Sequence, residues 1–308
     1  LNNSVSGQAA RAGGGGFTAS VENSNASVGQ LQPGDTQALS VTIAEGYSQS
    51  SASDSAFDPT GSGTTTVSAS IPGFITTTTA AVEITVTSPD ITVYAPAAVG
   101  AGLQYSGSAN LGASAHGGVT VRVESSDPSI ALIAPDSVTA GAAYADIPVA
   151  DGYASVNYYV QGVEGAADTV TVTVSGPGFN PGTDSVDIVQ PGVRIVNLAS
   201  AATTLSTSDT FQVRIGIPDA LNNSVSGQAA RAGGGGFTAS VVNSNASVGQ
   251  LQPGDVQALD VTIAEGYSQS STSGSAFDPT GSGTTTVSAS IPGFITTTTA
   301  SVEIVVSP

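Results

Sequence analysis

The 308-residue chain contains no cysteine, methionine, tryptophan or lysine, and only one histidine, His116. Each absence removes a chemistry. Without cysteine there are no disulfides and no thiolate metal centres. Without lysine there is no lysine–asparagine isopeptide staple and no phosphate loop of the GxxxxGK[ST] kind. Any Ser-His-Asp arrangement has to use His116. Five arginines face 23 acids, for a formal charge of −18, and such a surface repels nucleic acid and anionic membranes. No apolar run approaches the roughly 20 residues that span a bilayer as a helix. The expectation is a non-enzyme that requires no cofactor, binds no nucleic acid and has no membrane span in this segment.

Ser, Thr, Gly, Ala and Val dominate, and only 9% of residues are charged. This lysine-free, Ser/Thr/Gly-rich composition reads as extracellular or cell-surface. The stretch "RAGGGGFTAS" stands at residues 11–20 and again at 231–240. It belongs to a larger repetition, because residues 1–86 align without a gap with 221–306. There are seven differences: Glu22/Val242, Thr36/Val256, Ser40/Asp260, Ala52/Thr272, Asp54/Gly274, Ala81/Ser301 and Thr85/Val305. A weaker repeat lies inside the unit. "FTASVENSNASV" (residues 17–28) matches "VTVRVESSDPSI" (119–130), and "VTIAEGY" (41–47) matches "IPVADGY" (147–153). Each unit is thus a pair of related modules, A and B, and self-similarity on this scale marks a domain array rather than a solenoid.

Period-2 alternation predicts strands. Val119, Val121 and Val123 face one way in "VTVRVE", as do Phe211, Val213, Ile215 and Ile217 in "FQVRIGI". "QPGD", "FDPTGSG", "IPGF" and "GFNPG" are turn signals. No segment holds a helical apolar period. About seven short strands per module predict all-β, tandem Ig-like β-sandwiches arranged end to end. The expected modules are 1–88 (A, lacking its opening strands), 89–192 (B) and 193–308 (complete A).

The strand before "SSDPSI", the "ADGY" turn and the closing strand after "SGPGF" resemble bacterial Ig-like (Big-type) tandem repeats. Those repeats build large surface adhesins and extracellular fibres. The resemblance implies a non-catalytic structural repeat of a fibre or adhesin stalk, whose partners are neighbouring repeats of the chain or neighbouring copies. It also implies calcium at domain junctions, for which Asp90 in "TSPDITV" is the nearest candidate. Asp127 and Asp151, acids beside turns, are further calcium candidates. The alternative is a loop-based module that recognises a glycan or receptor, with Tyr153, Tyr158 and Tyr159 as the aromatic cluster. N-x-Ser sequons at Asn2, Asn25, Asn222 and Asn245 are candidate glycosylation sites. The threonine runs 76–79 and 296–299 are candidates for O-glycosylation, the alternative being β-prone polar residues on an exposed face.

The opening strands of the last module, "VRIVNLAS" and "FQVRIGIP" in residues 193–220, have no counterpart ahead of Leu1. The first A module is therefore expected to expose apolar edges. Either the chain continues ahead of Leu1, or a neighbouring subunit donates strands. The last module needs its own opening strands, which favours the first arrangement.

Overall fold

A computed structural model describes residues 6–308. Among these the chain is all-β, with two single-turn 3-10 segments, Thr78–Ala80 and Thr298–Ala300, as the only helical elements. Two compact units divide at the "TSPD" stretch: Leu1–Pro89 and Asp90–Pro308.

In the first unit one antiparallel sheet carries the strands Ala38–Ile43, Phe17–Asn23, Gly63–Ser70 and Ala81–Val86, in that order. A hydrogen-bonded pair, Gly29–Gln32 with Ala56–Pro59, flanks it. Register follows the pleat: Val21 opposes Leu39 on one side and Ala69 on the other. The apolar residues share one face, yet Val21, Ile43 and Val67 are only half-buried and Ala69 is exposed.

The second unit is two β-sandwiches in tandem. One sheet of the first sandwich orders Tyr144–Val149, Val119–Ser125, Asp168–Ser175, Gly182–Val189 and Ala98–Gly100. The opposing sheet holds Ala131–Ala134, Ser155–Gly162 and Leu103–Asn110, with Thr92–Tyr94 along the outer edge of the last. Val121, Val123, Val170, Val172 and Val174 are buried as the alternation predicts. In the second sandwich the repeated sheet has gained a strand at its edge. Ala201–Thr203 joins Ser301–Ser307, Gly283–Ser290, Phe237–Asn243 and Ala258–Ile263. Above it lies a sheet of Val225–Gly227, Gln212–Pro218, Gly192–Val196 and Ile295–Thr296. That covering sheet buries Phe211, Val213 and Ile215 completely. A single cluster of buried side chains runs through both sandwiches, from Ile91 to Val306. A fully buried valine or isoleucine contributes roughly 1.5–3 kcal/mol, so the cluster shared by the two sandwiches opposes their separation.

The threonine runs are exposed as expected except at Thr77, which is half-buried, and Thr297. In residues 296–299, Thr297 is buried and its Oγ1 donates to the Val193 carbonyl at 2.8 Å. Thr299 Oγ1 donates to the Asn223 carbonyl at 2.7 Å. Threonine hydroxyls reach nearby carbonyls, so the run turns and pins the covering sheet instead of extending as a strand.

Candidate functional site

Two features of the second unit are built for joining and holding. The first is the seam between its sandwiches. The short strand Ala229–Ala230 of the last module adds to the edge of Leu103–Asn110 in the module before it, with Ala229 opposite Gln104 and Ala230 opposite Leu103. The buried amide of Gln228 acts as a surrogate peptide group: Nε2 donates to the Ala98 carbonyl at 3.0 Å, and Oε1 accepts from the Gly100 N–H at 2.9 Å. Gln104 reciprocates, accepting from the Ala232 N–H at 3.1 Å and from Gln161 Nε2 at 3.0 Å. Arg231 makes a bidentate pair with Glu164, both contacts 2.7 Å. The fork geometry suits such a pair, although partial exposure limits its worth. Gly102 stands so close to the Phe237 ring that a Cβ there would lie 2.7 Å from it.

The second feature is the parallel pairing of an early strand of each sandwich with a late one. In the first sandwich Ala98–Gly100 runs parallel to Gly182–Val189, with Val99 opposite Ile188. In the second, Ala201–Thr203 runs parallel to Ser301–Ser307, and Gly192–Val196 parallel to Ile295–Thr296. When the ends of a module are drawn apart, parallel end strands slide past one another. Their hydrogen bonds lie across the force and stretch together, whereas a hairpin opened from its end breaks one bond at a time.

The glycine run of residues 233–236 is organised by a carboxylate of its own chain. Glu265, in the "AEGY" turn, accepts from the Gly235 N–H. The N–H groups of Gly235 and Gly233 hold its carboxyl below the usual range. Glu45 does the same for Gly13 and Gly15 in the first unit, and its carboxyl is lowered for the same reason. In the B module Asp151 of "ADGY" accepts from His116 and Gly117 at 3.0 and 2.9 Å. The Gly117 and His116 N–H groups lower its carboxyl. The repeated loop thus spends its N–H groups on an internal anion. Gly236 needs to be glycine twice over, with φ +73° and a Cβ position 2.5 Å from the Ile263 carbonyl oxygen.

The calcium candidates stand apart: Asp90 at an isolated bridge to Asn180, and Asp127 and Asp151 at two separate turns. Asp90 accepts from Asn180 Nδ2 at 2.8 Å. Asp127 accepts from the Ser129 N–H and hydroxyl at 2.9 and 2.6 Å, and these hold its carboxyl low, the hydroxyl foremost. Asp151 serves the loop just described. Among the described residues no group of three or more His, Cys, Asp or Glu side chains converges as a metal centre would require. His116 packs edge-on against Phe179, with Nε2 2.9 Å from the Tyr153 carbonyl and Nδ1 accepting from Gly118.

The tyrosine cluster does not form as one face. Strand alternation across Ser155–Gly162 sends Tyr158 into the core, fully buried, while Tyr159 is half-buried and Tyr153 is exposed on a turn. Burial pushes the Tyr158 phenol up, with the charge of Asp184 adding to it. Of the sequons, Asn2 lies outside the described residues. Asn25 and Asn245 hold their own serines through Oδ1, at 2.7 Å to Ser27 Oγ and 2.8 Å to Ser247 Oγ. Asn222 is exposed with φ +55°.

Sequence reasoning missed Gln228 and Gln104, the side chains that close the seam. A signal existed in the buried Ala-flanked Gln of "GQAAR", but glutamine is ordinarily a surface residue.

No family model matches the chain, and no curated protein sequence matches it significantly. Among solved structures it is similar to the adhesin InvE of Yersinia pseudotuberculosis, 16% identical over 70% of this chain and 58% of that one, with a TM-score of 0.27. A C-terminal 282-residue fragment of intimin, solved with the intimin-binding domain of its translocated receptor, is 16% identical over 61% of this chain and 57% of that one, at TM-score 0.19. The α2-macroglobulin of Escherichia coli covers 97% of this chain and 30% of its own at 10% identity and TM-score 0.26. The chain therefore spans less than two thirds of each of these structures. The fold stands on the sheets and registers above.

Proposed function

We propose that the chain is a structural repeat region of an extracellular fibre or cell-surface adhesin stalk, without catalytic activity and without a required cofactor. The observation that carries this reading is the parallel pairing of the last strand with an early strand, Ala98–Gly100 or Ala201–Thr203, in both sandwiches of the second unit. Such pairing is a clamp against separation of the module ends. The seam through Gln228, Gln104 and Arg231 supports the same reading, because it passes load from one module to the next through buried hydrogen bonds and a common core. The partners of the repeat are then its own neighbours in the array. An acidic, lysine-free surface fits exposure outside the cell and keeps adjacent fibres from clumping.

Immunogold electron microscopy of the producing cells with antibodies against residues 90–308 tests the reading. Labels along surface filaments or a surface layer are expected. Labelling confined to the cell interior would overturn it.

A further inference from the structure

Two of the chain's five arginines stand against each other without an acid. In the covering sheet of the second sandwich, Arg194 lies opposite Arg214 in the antiparallel register, and like charges placed so repel. The other arginines of the second unit are matched. Arg122 holds Asp146 through contacts of 2.8 and 2.9 Å, and Arg231 holds Glu164. Acids outnumber arginines 23 to five, yet among the described residues none comes within ion-pair distance of Arg194 or Arg214. Both side chains are half-buried. The Arg194 Nε is buried without a hydrogen-bond partner. Burial, and then the charge of Arg214, push the Arg194 guanidinium below its ordinary value.

The groups beside the pair are left as donors. Gln269 is bridged to Arg214, and its Oε1 accepts from Nε at 2.9 Å and again from Nη2. The Gln269 NH2 group stays free to donate. Ser224 Oγ accepts from Arg194 Nη1 at 3.0 Å, which frees its own hydrogen. Guanidinium, amide and hydroxyl donors without an acceptor complement an oxyanion, and the planar forks suit a carboxylate. Gln269 also lines a cleft of about 610 Å³ with Tyr267, Ser271, Thr272 and Thr262. The Tyr267 main chain fixes its turn, its carbonyl accepting from the Ala230 N–H at 2.9 Å, while its side chain is 64% exposed. An exposed ring among hydroxyl and amide groups suits a sugar, whose C–H face stacks while its hydroxyls find partners.

We propose that the second sandwich binds a saccharide that carries one carboxylate. The acid pairs with Arg194 and Arg214, and the sugar ring lies in the cleft against Tyr267 and Gln269. Gln269 joins the two halves of the site, since Arg214 fixes its carbonyl and the cleft receives its side chain. A chain of charge −18 disfavours polyanions, so the ligand is an acidic sugar within a mostly neutral glycan. This adds a ligand to the stalk reading and does not depend on it.

Ligand-observed saturation-transfer NMR on the full chain tests the site with three probes: methyl glucuronide, its neutral twin methyl glucoside, and acetate. Methyl glucuronide is expected to bind saturably, and each of the others at least about tenfold more weakly. No saturable binding of the glucuronide would overturn the proposal. Equal binding of the glucoside would remove the arginines from it, and equal binding of acetate would remove the sugar. Arg194→Gln and Arg214→Gln are each expected to weaken glucuronide binding by about tenfold or more. Their thermal midpoints are expected not to fall, because the repulsion goes with the charge. Binding retained in both variants would overturn the assignment. Tyr267→Ala is expected to weaken binding by about threefold or more, and Tyr153→Ala, at the corresponding turn of the B module, to leave it unchanged. If the chain instead dimerises at low salt through Arg194 and the glucuronide does not compete, the carboxylate belongs to a second copy and the saccharide assignment is wrong.

Discussion

Asn243 shows what one buried polar side chain does in this fold. It is 3% exposed and sits at the end of a core strand. Its Nδ2 donates to the Gly249 carbonyl at 2.6 Å and the Asn245 carbonyl at 3.2 Å, while Oδ1 accepts from the Thr285 hydroxyl. Asn23 repeats the arrangement in the first unit. Removing the amide leaves the Gly249 carbonyl with Gln257 Nε2 at 3.2 Å and the Thr285 hydroxyl with Ser244 Oγ at 3.2 Å, so Asn243→Ala is expected to lower stability by about 1–3 kcal/mol in denaturant titration. A loss no larger than that of an exposed control, such as Ser271→Ala, would contradict it. The loop carboxylates act through pH. Glu265 and Asp151 are held below their ordinary values of 4.5 and 3.8. A lowered folded pKa means that the stability they give is complete above the ordinary value and is lost as pH falls through the folded one. The thermal midpoint is therefore expected to hold level above about pH 5 and to fall below about pH 4. Glu265→Gln and Asp151→Asn are each expected to start lower and fall less. A variant with an unaltered acid limb would show that the loop does not use its anion.

At the scale of elements, the seam strand Ala229–Ala230 is only two residues long and holds through what flanks it. Gln228→Leu keeps the volume but leaves the Gly100 N–H and Ala98 carbonyl without the amide that serves them. The expected cost is about 2–3 kcal/mol. In calorimetry the second unit is expected to melt as one transition in the parent chain and as two in the variant. One transition in both would show that the common core couples the sandwiches without the seam. This element was hidden in the sequence for a physical reason. The alternation of Val119–Ser125 or Asp168–Ser175 is a local pattern and reads directly as a half-buried strand. A glutamine that mimics a peptide group 128 residues away has no local signature. The burial of Thr297 was hidden for a related reason, since β-propensity describes a side chain on a pleat and is silent about a hydroxyl that bonds a carbonyl of another strand. Tyr158 was legible in principle. Its neighbours Val156 and Val160 put it on the inward phase of a strand, and reading the tyrosines as a cluster overrode that phase.

For the whole molecule, the repetition was the strongest signal in the sequence, and the structure turns it into a controlled comparison. The sheet of residues 17–86 and its near-identical twin differ chiefly in whether a hairpin closes them. In the twin the last strand runs parallel to an early strand, as it does in the B module. In the first unit, among the described residues, the last strand, Ala81–Val86, pairs only antiparallel with Gly63–Ser70. Sequence identity therefore predicts equal resistance to force, and the clamp geometry predicts unequal resistance. Single-molecule pulling of the full chain by its ends separates the two, with each event sized at about 3.6 Å per residue released. The account predicts that the first unit extends at low force and that both modules of the second unit resist to clearly higher force. Unfolding of all modules at one common low force would contradict it, because the parallel end strands would then carry no load.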